Sequence, residues 1–170
     1  LSQCVDENYT DEHYASFISK ADIDRIASWG CDHVRLPIDY NVIQEDNGDM
    51  IESRYVYIDN CIEWCKANNL KIILDIHKVN GFVFDNTDCF AFFHEDELQA
   101  KFIRLWEALT TRYGHLTDMV TFELLNEVTA REVAEDWNRI SKTTIKAIRA
   151  IAPDIRIMIG GIFNSSIYGL

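Results

Sequence analysis

Basic charge, proline and glycine are all scarce in this chain. Sixteen Lys and Arg stand against 28 Asp and Glu, a formal charge of −12 at pH 7. Nucleic-acid binding draws on clustered Lys and Arg, so the balance argues against that class of partner. An acidic surface suits a neutral or cationic ligand, and equally a purely solubilising role. Only two prolines and seven glycines occur in 170 residues, with no low-complexity tract and no internal period, which argues against disorder and repeats. No apolar run approaches the roughly 18 residues of a membrane span, and Leu1 opens no signal-peptide pattern. Membrane partners are not expected, and the compartment stays open between secreted and cytoplasmic.

Cysteine is present but unpatterned. Cys4, Cys31, Cys61, Cys65 and Cys89 are odd in number and irregular in spacing, with no CxxC and no Cys/His set of zinc spacing. Cys61 and Cys65 lie one helical turn apart, so they read as small apolar groups, and reduced thiols are expected throughout.

What the chain does have is a core's worth of apolar residues, 48% of the total with 12% aromatic, enough for one well-filled domain over 1–170. Periodicity alternates helix and strand. A helical pattern on Phe17, Ile18, Ile23, Ile26 and Ala27 fills 11–30, with Gly30 as its stop. Strands are expected at 31–38, 70–77, 119–127 and 154–161; helices at 55–69, 96–114 and 131–152, the last ending before Pro153. Near-continuous apolar strands followed by long helices imply right-handed βαβ units and a parallel sheet.

Alternation within the strands separates two faces. One is apolar: Val34, Leu36, Ile38; Ile72, Leu74, Ile76; Val120, Phe122, Leu124; Ile155, Ile157, Ile159. The other carries His33 and Arg35; Asp75 and His77; Glu123 and Glu127; Arg156 and Gly160. An open sheet with helices on both sides would bury those charges against apolar helices, whereas a barrel gathers them in its interior and upper mouth. The charged face therefore predicts a barrel with a shared, partly buried ionic network.

At the end of the third of these strands the pair Asn126-Glu127 stands out. Strands avoid Asn, and a buried carboxylate is costly to desolvate. A strand that delivers both at its C-terminal end presents them, as barrel active sites do. The chemistry suggested is a carboxylic acid that donates a proton beside an amide that grips a substrate hydroxyl. Arg35 reads either as a functional cation or as counter-charge to Asp75 or Glu123, which lie deeper in their strands and suit structural pairing. His77 ends its strand and is equally open to a hydrogen-bonding or a ligand role. His33 sits at a strand start and reads as structural; His13, His94 and His115 show no chemistry around them. In the long loop 79–97, Phe82, Phe84, Phe90, Phe92 and Phe93 either stack on a ligand or fill a small core of their own.

GCDHVRLPIDY, LKIILDIH and VTFELLNEV, in this order and spacing, resemble the second, third and fourth strands of glycoside hydrolase family 5, most closely its endoglucanase C-like branch. IRIMIGGIFNS is similar to the fifth strand, and residues 1–30 to the segment after the first. The resemblance implies an α/β fold, a partial (β/α)8 TIM barrel holding about strands 2 to 5 with their helices. It implies a retaining glycosidase acting on β-linked glucans, with no metal or organic cofactor. Glu127 would be the general acid/base and Asn126 would bind the sugar 2-hydroxyl. Arg35 would hold the nucleophile ionised, and His77 would contact the sugar next to cleavage. One departure is Lys78, where the close relatives have a second His.

Retaining hydrolysis needs two carboxyl groups flanking the bond, and no residue here matches the family's nucleophilic Glu. The expectation is a fragment of an enzyme, with the first strand before Leu1 and the nucleophile strand after Leu170, or a chain that pairs with the missing C-terminal half of the barrel. Alternatives left open are a mannanase or exo-β-1,3-glucanase of the same fold, and a non-catalytic half-barrel carbohydrate-binding module.

Overall fold

The computed structural model describes residues 1–84 and 89–165. Four parallel strands lie side by side in chain order: β1 (His33–Asp39), β2 (Lys71–Lys78), β3 (Val120–Glu123) and β4 (Arg156–Met158). Longer helices fill the crossovers, α4 (Tyr55–Ala67) after the short α3 (Tyr40–Ile43) between β1 and β2, α6 (Asp96–Tyr113) after the short α5 (Ala91–His94) between β2 and β3, and α7 (Ala134–Ile151) between β3 and β4. This is the expected βαβ alternation, four strands of a barrel wall with their helices outside.

The opening segment departs from the single helical pattern over 11–30. It forms α1 (Asp11–Phe17) and α2 (Lys20–Ser28), broken at an extended Ile18. The break has a local cause. Asp22 accepts from the Ser19 backbone N–H at 3.0 Å, so Ser19 opens a new helix by capping. Phe17, read as part of the apolar stripe, ends α1 and is 58% exposed. Gly30 ends α2 as expected, at φ +82, where a left-handed turn favours glycine.

The apolar stripes otherwise fall as the periodicity requires. Ile58, Cys61, Ile62 and Cys65 of α4 are buried, as are Phe102, Leu105, Trp106 and Leu109 of α6 and Trp137, Ile140 and Ile148 of α7. They cover Leu36, Ile38, Ile72, Leu74, Ile76, Val120 and Phe122 from the sheet, and each large side chain so buried contributes roughly 1.5–3 kcal/mol. All five cysteines are free, and burial pushes the Cys61 and Cys65 thiols up to about 11. Ile159 breaks the pattern: it lies beyond the end of β4 and is 50% exposed, so the apolar face thins out there.

The register aligns the charged face. Pro37 pairs with Asp75, and Asp75 with Glu123, so the two carboxylates sit side by side on neighbouring strands. The β1–β2 ladder shifts between Ile38 and Asp39, which brings Asp39 opposite Lys78. Ladder pairing of β3 ends at Glu123, yet the chain stays tied to its neighbours: Leu124 N–H donates to Met158 O at 3.1 Å and Asn126 N–H to Ile76 O at 2.9 Å. Those bonds carry Asn126 and Glu127 to the C-terminal edge of the sheet.

Candidate active site

Arg35 organises the strand ends. Its Nε donates to Glu123 Oε2 at 2.6 Å and its Nη2 to Glu123 Oε1 at 2.9 Å, a forked pair across two strands. The same Nη2 lies 2.9 Å from Asp75 Oδ2 and donates to Asn126 Oδ1 at 2.9 Å. Asp75 is fully buried and Glu123 largely so. Bonding to Glu123, then the charges of Asp75, Glu123 and Glu127, hold the guanidinium protonated beyond its ordinary range despite partial burial. Of the two roles weighed for Arg35, the structure shows the counter-charge to Asp75 and Glu123, and it adds a bond to Asn126.

His77 stands beside this group. Its Nδ1 is 2.7 Å from Asp75 Oδ2, and its ring meets the edge of Phe84, with centroids 5.2 Å apart at 73°. Burial raises the Asp75 carboxyl above the ordinary value; bonding to His77 and the charge of Arg35 pull against it, and Glu123 adds repulsion. Asp75 Oδ1 is buried without a hydrogen-bond partner.

Glu127 follows Asn126 at φ +32, left-handed backbone that a β-unbranched but bulky residue rarely adopts. Its side chain is half-buried, and among the described residues none hydrogen-bonds its carboxylate. Next to a fixed amide and within the field of Arg35, it is the carboxyl group left free to act. Asp75 and Glu123, by contrast, are spoken for by Arg35 and His77. Of the four residues singled out from the sequence, His77 stands near the end of β2 and Asn126 and Glu127 just past the end of β3, whereas Arg35 is the third residue of β1 and reaches up to them. Arg35, His77 and Asn126 are linked through Asp75 and Glu123, and Glu127 follows Asn126 in the chain.

One feature escaped the sequence reading. Asp39, one residue beyond the span assigned to β1, is buried and takes bonds from the Gln3 backbone N–H at 2.9 Å and the Tyr9 hydroxyl at 2.6 Å. Lys78 donates to the Gln3 carbonyl and lies 3.8 Å from Asp39 Oδ2, so its ammonium is turned to this cluster. The acidic residue at a strand end was the available signal. Of the loop phenylalanines weighed from the sequence, Phe82, Phe92 and Phe93 are fully buried in a ring cluster that half-buried Phe90 joins, while half-buried Phe84 touches His77. The mini-core expectation holds for the first three. Among the described residues no group of His, Cys, Asp and Glu is arranged to hold a metal ion.

His77, Asn126 and Glu127 lie toward the C-terminal ends of neighbouring parallel strands, with the Arg35 guanidinium reaching up to Asn126, and that is the edge at which β/α barrels build their sites. This chain belongs to glycosyl hydrolase family 5, whose cellulase model matches residues 5–169. Cellodextrinase A of Ruminococcus flavefaciens is 45% identical over 167 residues, covering 98% of this chain and 49% of its own length. Endoglucanase C of Acetivibrio thermocellus is 39% identical over 155 residues, covering 90% of this chain and 45% of its own. Among solved structures, XacCel5A in complex with cellopentaose aligns with a TM-score of 0.71 at 26% identity, over 87% of this chain and 45% of that one. The chain spans about half the length of the curated relatives it matches.

Proposed function

We propose that this chain carries the acid/base side of a retaining glycosidase that cleaves β-linked glucans. The observation behind the reading is Glu127: a half-buried carboxyl group with no hydrogen-bonding partner among the described residues, beside an amide fixed by Arg35. Glu127 protonates the departing glycosidic oxygen, and as a carboxylate it then activates water to release the sugar. Asn126 holds a sugar hydroxyl beside the bond, and His77 contacts the same sugar. The attacking carboxylate comes from the remaining strands of the family's barrel, in the same polypeptide or a second one. Asp75 and Glu123 do not qualify, because both sit deeper and are engaged by Arg35. The relatives named as cellodextrinase and endoglucanase, and the cellopentaose held by XacCel5A, favour a β-glucan as substrate.

Glu127→Gln in the full-length enzyme tests the assignment. Gln keeps size and hydrogen bonding but has no proton to give, so natural glucans should lose roughly 10²–10⁴ in rate. An activated aryl glycoside leaves as a stable phenolate, so its first step should survive while the second stalls. Azide should rescue that second step and yield a β-glycosyl azide. Equal losses on both substrates without an azide effect would move the acid/base role to another residue.

A further inference from the structure

We infer that Asp75 is a positioning residue that fixes the tautomer of His77, so that His77 meets the sugar with an unprotonated Nε2 and accepts a hydrogen bond from a hydroxyl. What His77 touches rests on the glycosidase reading; the tautomer itself does not. A neutral imidazole protonates one nitrogen and leaves the other as an acceptor, and the group bonded to one nitrogen decides which. Here Nδ1 lies 2.7 Å from Asp75 Oδ2, and the Arg35 guanidinium lies 2.9 Å from that same oxygen. A permanent cation beside Oδ2 keeps the negative charge there, so Oδ2 accepts and Nδ1 carries the hydrogen. The opposite arrangement, a protonated Asp75 donating to Nδ1, would remove the fully buried negative charge that faces Arg35. It is disfavoured for that reason.

The ring's other constraints agree. Phe84 closes one side edge-on, which limits rotation of the imidazole. His77 is 16% exposed, and among the described residues none bonds Nε2. The ring nitrogen away from Asp75 is thus an acceptor, on the strand next to the one that leads to Asn126 and Glu127. One buried carboxylate orients the imidazole and at the same time borders the guanidinium that grips Asn126. Acceptor and amide then offer a sugar both kinds of hydrogen bond from adjacent strands.

Long-range ¹H–¹⁵N spectra of the imidazoles in the full-length protein test this without any substrate. At neutral pH, His77 is expected with Nδ1 protonated and Nε2 bare. The signals are assigned by their loss in His77→Phe. Asp75→Asn should keep that tautomer, because Arg35 draws the amide oxygen to the Oδ2 position. Asp75→Ala should release it toward the Nε2–H form. An Nε2–H tautomer in the unsubstituted protein would overturn the proposal, even if Asp75→Ala fails to fold. The kinetic arm uses aryl β-cellobiosides and their monodeoxy analogues. Asp75→Ala should lose about 3- to 10-fold in kcat/KM, the worth of one neutral hydrogen bond, carried by KM, and lose nothing further on the analogue lacking the recognised hydroxyl. Asp75→Asn should recover most of that loss; a loss equal on every analogue would overturn the link to substrate. If the tautomer stands while Glu127→Gln behaves like an ordinary surface change, the glycosidase reading fails and the role of Asp75 survives.

Discussion

Arg35 holds Glu123 through two nitrogens, Nε at 2.6 Å and Nη2 at 2.9 Å, across the intervening strand that carries Asp75. Glu123 and Asp75 are neighbours in register, so without a cation between them two carboxylates, one fully and one largely buried, would stand side by side unpaired. The guanidinium is therefore a condition of the sheet as well as of the site.

Arg35→Ala should accordingly be among the most damaging single changes in the chain. Removing one partner of a buried ion pair leaves the other charge uncompensated and costs on the order of 3–5 kcal/mol. Arg35 itself is 36% exposed, so the lower end of that range is expected. Glu123→Gln should cost clearly less, since Arg35 keeps Asp75 and Asn126 as partners. Urea denaturation of the two variants checks the order; Glu123→Gln proving the worse would mean that Asp75 needs no counter-charge.

The pH dependence of stability should show Asp75 and Asp59 working in opposite directions. Burial lifts the folded-state pKa of Asp75 above 3.8, against the pull of His77 and Arg35. Between 3.8 and the raised value the folded chain binds the extra proton, so this group's contribution falls as pH rises through that window. For Asp59 burial is outweighed by bonds from Arg112 and Tyr113, and the pKa lies below 3.8. Its contribution is present above 3.8 and is lost as pH falls through the folded value. Urea midpoints measured from about pH 3 to about pH 7 should rise less with pH in Asp59→Asn and more in Asp75→Asn, relative to the unsubstituted chain. Parallel profiles for all three would refute the assignment.

Gly81→Ala should weaken the loop that carries Phe84. Gly81 sits at φ +84 in the tight turn where Val79 and Phe82 exchange backbone bonds. An added Cβ would come within 2.5 Å of Leu98 Cδ1 and 2.8 Å of the Phe92 backbone nitrogen. Leu98 can swing aside, but the backbone cannot. Conformational strain alone costs about 1–3 kcal/mol, and the crowding adds to it. Thermal unfolding should fall by at least that much, with faster proteolysis within 79–97. A variant as stable as the original would show that the turn is free to open.

Much of this architecture was legible because period and chemistry agreed. Strands with one apolar and one charged face suit a barrel wall, and Asn126-Glu127 falls just past the end of β3, with Asn126 buried and Glu127 half-buried. Local capping was harder to see. Ser19 and Asp22 split a helical pattern that apolar spacing carried straight through, since spacing records burial and not backbone bonds. The shared roles of Arg35 were open for a different reason. Sequence placed it on the same face as Asp75 and Glu123, but the choice among partners is a matter of ångströms, and it takes both and Asn126 as well. Asp39 was passed over because the ladder slips by one residue just before it, a shift that alternation cannot reveal.

The backbone of Glu127 gives a final test, one that sets stability against function. At φ +32 a residue with a side chain is strained, and such strain gathers where the rest of the structure forces a side chain to a fixed aim. Two substitutions remove the carboxylate equally but differ in what they do to the backbone. Glu127→Ala keeps the strain, whereas Glu127→Gly relieves it, since glycine enters left-handed conformations freely. Both should abolish activity on natural glucans in the full-length enzyme. The glycine variant should nevertheless be more stable than the alanine variant, by about 1 kcal/mol. Chemical denaturation of the pair isolates the backbone term, because everything the carboxylate does is absent from both. Equal stabilities would mean that the conformation at Glu127 is relaxed, and that backbone strain plays no part in aiming its side chain.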